Sequence, residues 1–171
     1  KTITYDASGK VSTIVDGNNN TKTYEYSNDT IGKLTKITDG KSNITKHWHN
    51  NNNYLIQMSN PNGDTFKYEY DAKGNRTKET LPDSTQVYLF QYDSSTGNRT
   101  STTYPDGSKI ETSYNTSGKP TQIKETPATG YGDQRIKYFT YDNNQNITSY
   151  TDATGARRYY SYNAKGQLVA E

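Results

Sequence analysis

Rings and aliphatic side chains recur along the chain in short alternating stretches, separated by clusters of Asn, Asp, Ser and Gly. Phe66-Lys67-Tyr68-Glu69-Tyr70 places three rings at alternate positions, the period of a strand with one covered face. The same step of two joins Ile3 to Tyr5, Tyr24 to Tyr26, His47 to His49, Phe90 to Tyr92, Phe139 to Tyr141 and Tyr160 to Tyr162; Thr112 precedes Tyr114. An Asp, Asn or Ser follows each of these strands at once. A glycine comes four to six residues after the anchoring ring: Gly9, Gly32, Gly74, Gly97, Gly118 and Gly166, with Asn53 and Gln145 in the other two copies. An Asp or Asn with a Gly shortly after it marks a tight turn that needs positive φ.

A second β-prone run follows each turn, as in Val11 to Val15, Leu34 to Thr38, Leu55 to Met58 and Ile147 to Tyr150. It ends in a second turn signal such as Asp16-Gly17, Asp39-Gly40, Asn62-Gly63 or Asp106-Gly107. Each period therefore reads strand, turn, strand, turn, with no room for a helix, and about fifteen short antiparallel strands are expected. In the second strand the apolar residues fall three apart, as Val11 and Ile14, or Leu55 and Met58. Strict alternation would send such pairs to opposite faces. Either a β-bulge re-aims one of them, the reading we favour, or both faces are partly covered.

The anchors form one series through the chain: Tyr5, Tyr26, His49, Tyr70, Tyr92, Tyr114, Tyr141 and Tyr162, at intervals of 21, 23, 21, 22, 22, 27 and 21. We expect a single repeat array over residues 1–171, about seven and a half repeats, whose hairpins form a twisted, curled ribbon. Each anchor ring is expected to stack on its counterpart one repeat away.

Composition explains how such a chain could fold at all. Only about 13% of the 171 residues are Leu, Ile, Val or Phe, below the ~20% at which a highly charged chain is disordered. Net charge is only +2, and 17 tyrosines are present. An aliphatic globule is excluded, and a thin sheet packed by tyrosine and threonine remains. The absence of cysteine removes disulfides and thiolate chemistry. Basic and acidic residues are interspersed, so no stripe for nucleic acid is visible. No apolar run approaches the ~18 residues that span a membrane. Lys1 opens on strand-like sequence, which suggests a piece of a much larger protein.

Phe66 to Arg76 and Arg158 to Leu168 carry a motif that resembles the YD repeat, also called the rearrangement-hotspot (Rhs) repeat. The resemblance covers the whole chain. It departs from the pattern at His49, at Arg76, Arg99 and Pro120 after the turn, and in an insertion near Pro127 to Asp133. It implies an all-β open segment of a β-shell of the kind found in bacterial Rhs proteins, toxin complexes and teneurins. In the bacterial members the shell encloses a C-terminal toxin. The implied role is a non-catalytic wall segment in a secreted, cell-surface or cell-wall protein. Its partners would be the remaining repeats, and a toxin domain if the parent chain carries one.

No residue is assigned as catalytic, cofactor-binding or metal-binding. His47 and His49 share a strand face that could hold Zn or Ni weakly, but both stand where other repeats have rings, so a structural role is preferred. Asp142, Asn144 and Asn146 begin like a calcium loop, yet Ile147 and Ala153 occupy its sixth and twelfth positions. Gly130-Tyr131-Gly132 precedes no helix and is no phosphate cradle. The second functional reading is an adhesive module whose exposed tyrosines stack on glycans. Burial of the anchors separates the two readings. Open sheet edges also make edge-to-edge self-association an expectation.

Overall fold

The structure, a computed structural model, describes residues 1–171 and contains only strands and turns. It divides into two compact units, Lys1–Gln86 and Val87–Glu171. In the first, β1 (Thr2–Tyr5), β2 (Val11–Val15), β3 (Thr21–Asn28), β4 (Lys33–Thr38), β5 (Ile44–His49), β6 (Leu55–Ser59), β7 (Thr65–Tyr70) and β8 (Arg76–Thr80) form an antiparallel meander, each strand pairing with the next.

The second unit continues the scheme with β9 (Val87–Tyr92), β10 (Arg99–Thr103), β11 (Lys109–Tyr114), β12 (Pro120–Thr126), β13 (Arg135–Tyr141), β14 (Ile147–Thr151) and β15 (Arg157–Tyr159). A separate hairpin, β16 (Ser161–Tyr162) with β17 (Leu168–Ala170), follows. There are seventeen strands where about fifteen were expected. In the last period the leading strand breaks at Tyr160, whose N–H donates to the Thr148 carbonyl, leaving β15 and β16 as separate pieces.

The spacing of three is produced by a bulge in the second strand. Tyr5 faces Val11 and Thr4 faces Thr13, so Ser12 is the extra residue. Its counterparts are Ile56, Thr77, Thr100, Thr121, Thr148 and Val169. Each insertion returns the chain to the same face, so Val11 and Ile14 lie beside Tyr5 and Ile3, and Leu55 and Met58 beside His49 and His47. The repeat from Tyr26 to His49 has no bulge. There the register runs unbroken from Thr23↔Thr38 to Asn28↔Lys33, which sends Leu34 to the opposite face from Ile37.

Most turns follow one local recipe. In Asp71 to Asn75, the Asp71 N–H donates to the Asn75 carbonyl at 2.9 Å, and the Gly74 N–H donates to the Asp71 carbonyl. The Asp71 carboxylate accepts the N–H groups of Lys73 and Asn75 and the Asn75 side-chain amide. Asp or Asn leads because a short acceptor side chain can gather amides two and four residues on. The fourth residue is left-handed: Gly74 at φ 86°, Asn53 at 63° and Gln145 at 66°. In the turns opened by Asp16-Gly17 and Asp39-Gly40, that conformation falls on Asn19 and Ser42 and not on the glycines.

The core is thin. Trp48 (7% exposed) and Phe90 (8%) are its only buried apolar side chains. The accessible surface of 11491 Å² exceeds the about 8,500 Å² expected of a close-packed globule of 19.3 kDa. Phe90 lies on the anchor face, opposite Thr102. Trp48 lies on the other face, opposite Leu34 and Gln57, and its indole N–H donates to the Asp29 carboxylate at 2.7 Å.

Candidate binding face

Within the first unit the pairing register puts Tyr5, Tyr26, His49 and Tyr70 on one face, together with Ile14, Ile37, Met58 and Phe66. In the second, Tyr92, Tyr114 and Tyr141 share a face with Phe90, Ile110, Ile123 and Phe139. Tyr162 stands in the terminal hairpin. Tyr5 is 62% exposed, whereas every later anchor is half-buried.

The anchors do not stack on their counterparts. Tyr92 on β9 and Tyr114 on β11 are two strand spacings apart, about 9.6 Å, beyond the reach of a ring pair. Rings meet other neighbours: Tyr70 meets Tyr54 at 5.1 Å between centroids, Phe139 meets Tyr150 at 5.3 Å, and Tyr88 meets Tyr104 edge-on at 5.8 Å.

The link between repeats runs through the hydroxyls. Tyr26 donates to the Val11 carbonyl at 2.9 Å, Tyr70 to Leu55 at 2.8 Å, Tyr114 to Arg99 at 2.7 Å and Tyr141 to Pro120 at 2.7 Å. Each acceptor immediately precedes a bulge residue. The ladder to the following strand does not reach it, since β2 pairs with β3 only from Thr13 and β6 with β7 only from Gln57. The phenol satisfies the carbonyl that the bulge strips from the ladder. Burial pushes the phenols of Tyr26, Tyr70 and Tyr141 above their ordinary pKa, which keeps them protonated as donors. In the repeat without a bulge, β4 pairs with β5 as far as Lys33↔His49, and His49 stands in place of a tyrosine.

The glycines divide into two kinds. Gly9, Gly74, Gly97, Gly118 and Gly166 have φ between 75° and 86°. Gly32 does not adopt a positive φ. A Cβ there would come within 2.5 Å of the His49 carbonyl oxygen, so this glycine permits close approach of two backbones.

His47 and His49 meet edge-on with centroids 6.4 Å apart, and no group of three or more His, Cys, Asp or Glu side chains lies together in the chain. Burial, and secondarily His49, pull the His47 pKa down. The Asp142 carboxylate accepts the Asn146 backbone and side-chain N–H groups, the same closure as in the other turns. Hydrogen bonds from neighbouring side chains, followed by turn amides, likewise hold Asp16, Asp39, Asp71 and Asp142 below their usual range. Tyr131, 79% exposed in the inserted segment, borders an open cleft of about 380 Å³ with Tyr104, Ile110, Pro127 and Arg135. Asp29 and Trp48 escaped the reading of the sequence because neither repeats a residue type of the other copies, Trp48 standing where they have Glu25, Glu69 or Gln91; the only hint was Asp29-Thr30 arriving two residues later than the turn after Tyr26 should begin.

No curated protein matches the chain in sequence. Among solved structures it is similar to TcdB2-TccC3 without its hypervariable C-terminal region (TM-score 0.67, 13% identity, covering 98% of this chain and 10% of that one). It is similar also to TcdB2-TccC3-Cdc42 (0.66, 14%, 98% and 10%) and to TcdB2-TccC3 (0.62, 14%, 96% and 11%). The likeness is one of fold, and the chain spans about a tenth of the length of those structures. The family model described as the teneurin YD-shell matches residues 1–131, and the chain belongs to that family.

Proposed function

We propose that the chain is a non-catalytic length of shell wall in a large secreted or cell-surface bacterial protein, where it encloses or presents a C-terminal toxin domain. The observation that supports this reading is the engagement of the anchor side chains. The hydroxyls of Tyr26, Tyr70, Tyr114 and Tyr141 are bonded to backbone carbonyls of the preceding repeat, so the most regular chemical feature of the sequence serves to join one hairpin to the next. Half-buried rings tied in this way do not form the free ladder that an adhesive, glycan-stacking surface would need.

The test uses the full parent chain. Its C-terminal domain should resist protease while the repeats are intact and become cleavable once this segment is deleted. Digestion of that domain in the intact chain as fast as in isolation would overturn the reading. Saturable binding on a glycan array, abolished by Tyr159→Ala or Tyr131→Ala, would favour the adhesive alternative.

A further inference from the structure

The repeat that departs from the pattern also builds an unusual pocket. Between Tyr26 and His49 the bulge is missing, and β3 and β4 run on for two extra pairs, Ser27↔Leu34 and Asn28↔Lys33. The extension carries Lys33 to the anchor face, directly across from His49. A depression of about 430 Å³ opens there, lined among others by Lys10, Tyr26, Lys33, Thr35, His49 and Asn53, and no carboxylate lines it.

The lysines here differ from the five that the strands pair with glutamate. Lys36, Lys78, Lys109, Lys124 and Lys137 each lie within 3.1 Å of a glutamate oxygen. Lys33 has only neutral acceptors, the Asn51 carbonyl at 3.3 Å and the Asn53 side-chain oxygen at 3.2 Å. Those bonds fix its ammonium without cancelling its charge, and leave one of its three protons undirected. The Lys10 ammonium sits 4.8 Å from the centroid of the Tyr26 ring, which orients a cation without neutralising it. The Lys10 charge acts on Asp6, whose carboxylate lies outside the lining, makes no ion pair with Lys10, and accepts the Ser8 hydroxyl and two turn amides. Two positioned ammonium groups, an imidazole and a threonine hydroxyl around one concavity present donors and positive charge, with no carboxylate in the lining and Asp6 outside it.

We infer that this pocket binds an oxyanion, the phosphate or sulfate group of a small ester or the free ion. A tetrahedral anion offers several acceptor oxygens to converging donors, and a phosphate carries about −1.5 to −2 charges at neutral pH. The pocket is larger than one such ion fills, so the group it esterifies has room beside Thr35 and Asn53. The single histidine anchor has a reason in this arrangement. An imidazole leaves the pocket open and supplies a ring N–H where the other repeats carry a phenol that reaches back to a carbonyl.

The test is a titration of the whole chain with sodium phosphate and sodium sulfate, against sodium chloride at matched ionic strength, read by chemical-shift changes of Lys33, Thr35 and His49. The expected result is saturable shifts at these residues with phosphate or sulfate and none with chloride. Lys33→Gln and Lys10→Gln should each weaken the affinity at least tenfold, while Lys165→Gln in the terminal hairpin leaves it unchanged. Lys10 is exposed in a turn, so its variant reports even if Lys33→Gln perturbs the fold. Tighter binding of glucose 6-phosphate than of inorganic phosphate would identify an ester as the ligand, and equal binding the free ion. Non-saturable shifts, an equal response to chloride, or unchanged affinity in Lys10→Gln would overturn the inference.

Discussion

The Tyr70 hydroxyl reaches back across a hairpin to the Leu55 carbonyl at 2.8 Å, and Leu55 is the residue paired with the preceding anchor, His49. One bond thus ties the anchor of one repeat to the bulge beside the last. Tyr70→Phe keeps the ring and strands the carbonyl, which should cost about 1 kcal/mol. Urea unfolding should show a similar loss for Tyr26→Phe and Tyr114→Phe. His49→Phe should cost less, because the adjoining repeat leaves no bulge carbonyl to satisfy.

Acid should loosen the turns. Asp6, Asp71, Asp93, Asp106 and Asp152 are all held below the ordinary value of 3.8, first by side-chain hydrogen bonds and then by turn amides. The unfolded chain therefore takes up protons first as pH falls. Stability from these groups is complete above about pH 4 and is lost as pH drops through the lower folded values. A melting temperature that holds from pH 5 to pH 4 and then declines would agree. Asp71→Asn should lessen that decline, since Asn50 and Asn115 close the same turn without charge.

Two glycines should respond oppositely to asparagine. Gly63 has φ 91° and open space at its Cβ, so Gly63→Asn should be nearly neutral while Gly63→Ala costs about 1 kcal/mol. Gly32 lacks the positive φ but faces the His49 carbonyl, so either replacement should cost about 1 to 3 kcal/mol. Chemical denaturation of the four variants decides the point.

Trp48 is the buried ring of the face opposite the anchors. Trp48→Ala should cost about 3 kcal/mol or more, and Trp48→Phe considerably less. Thermal melts followed by circular dichroism would measure both. As the sole tryptophan, its fluorescence should change when Asp29→Ala removes its partner.

β1 pairs only with β2, and all four of its residues are exposed. Such an edge recruits other strands. Sedimentation at millimolar protein should reveal reversible association, weakened by Ile3→Lys.

Much of this molecule is legible in its sequence because its determinants are local. An Asp or Asn that gathers amides two and four residues ahead fixes a turn within five residues, which is why Asn53 and Gln145 could be placed beside the glycines. The bulge was legible from the spacing of Val11 and Ile14. Other features were hidden because they depend on neighbouring strands. Ser27 follows an anchor but closes no turn; the strand runs through it to Asn28, and Asp29, whose longer acceptor reaches Ile31, Gly32 and Trp48, takes that task. The destination of the tyrosine hydroxyls was equally hidden, since nothing in one repeat shows that the next will find a carbonyl free.

The turns contain their own closure, and this has a use beyond stability. A loop that satisfies its amides internally can be lengthened without asking anything of the strands it joins. The turn from Asp93 to Asn98 holds one residue more than that from Asp71 to Asn75 and still closes on its own backbone, and the inserted segment after Thr126 lifts Tyr131 into solvent while Glu125 still pairs with Arg135 at its base. Such a rim is a ready site for grafting foreign peptides, where a new sequence could be displayed while the sheet beneath keeps its register.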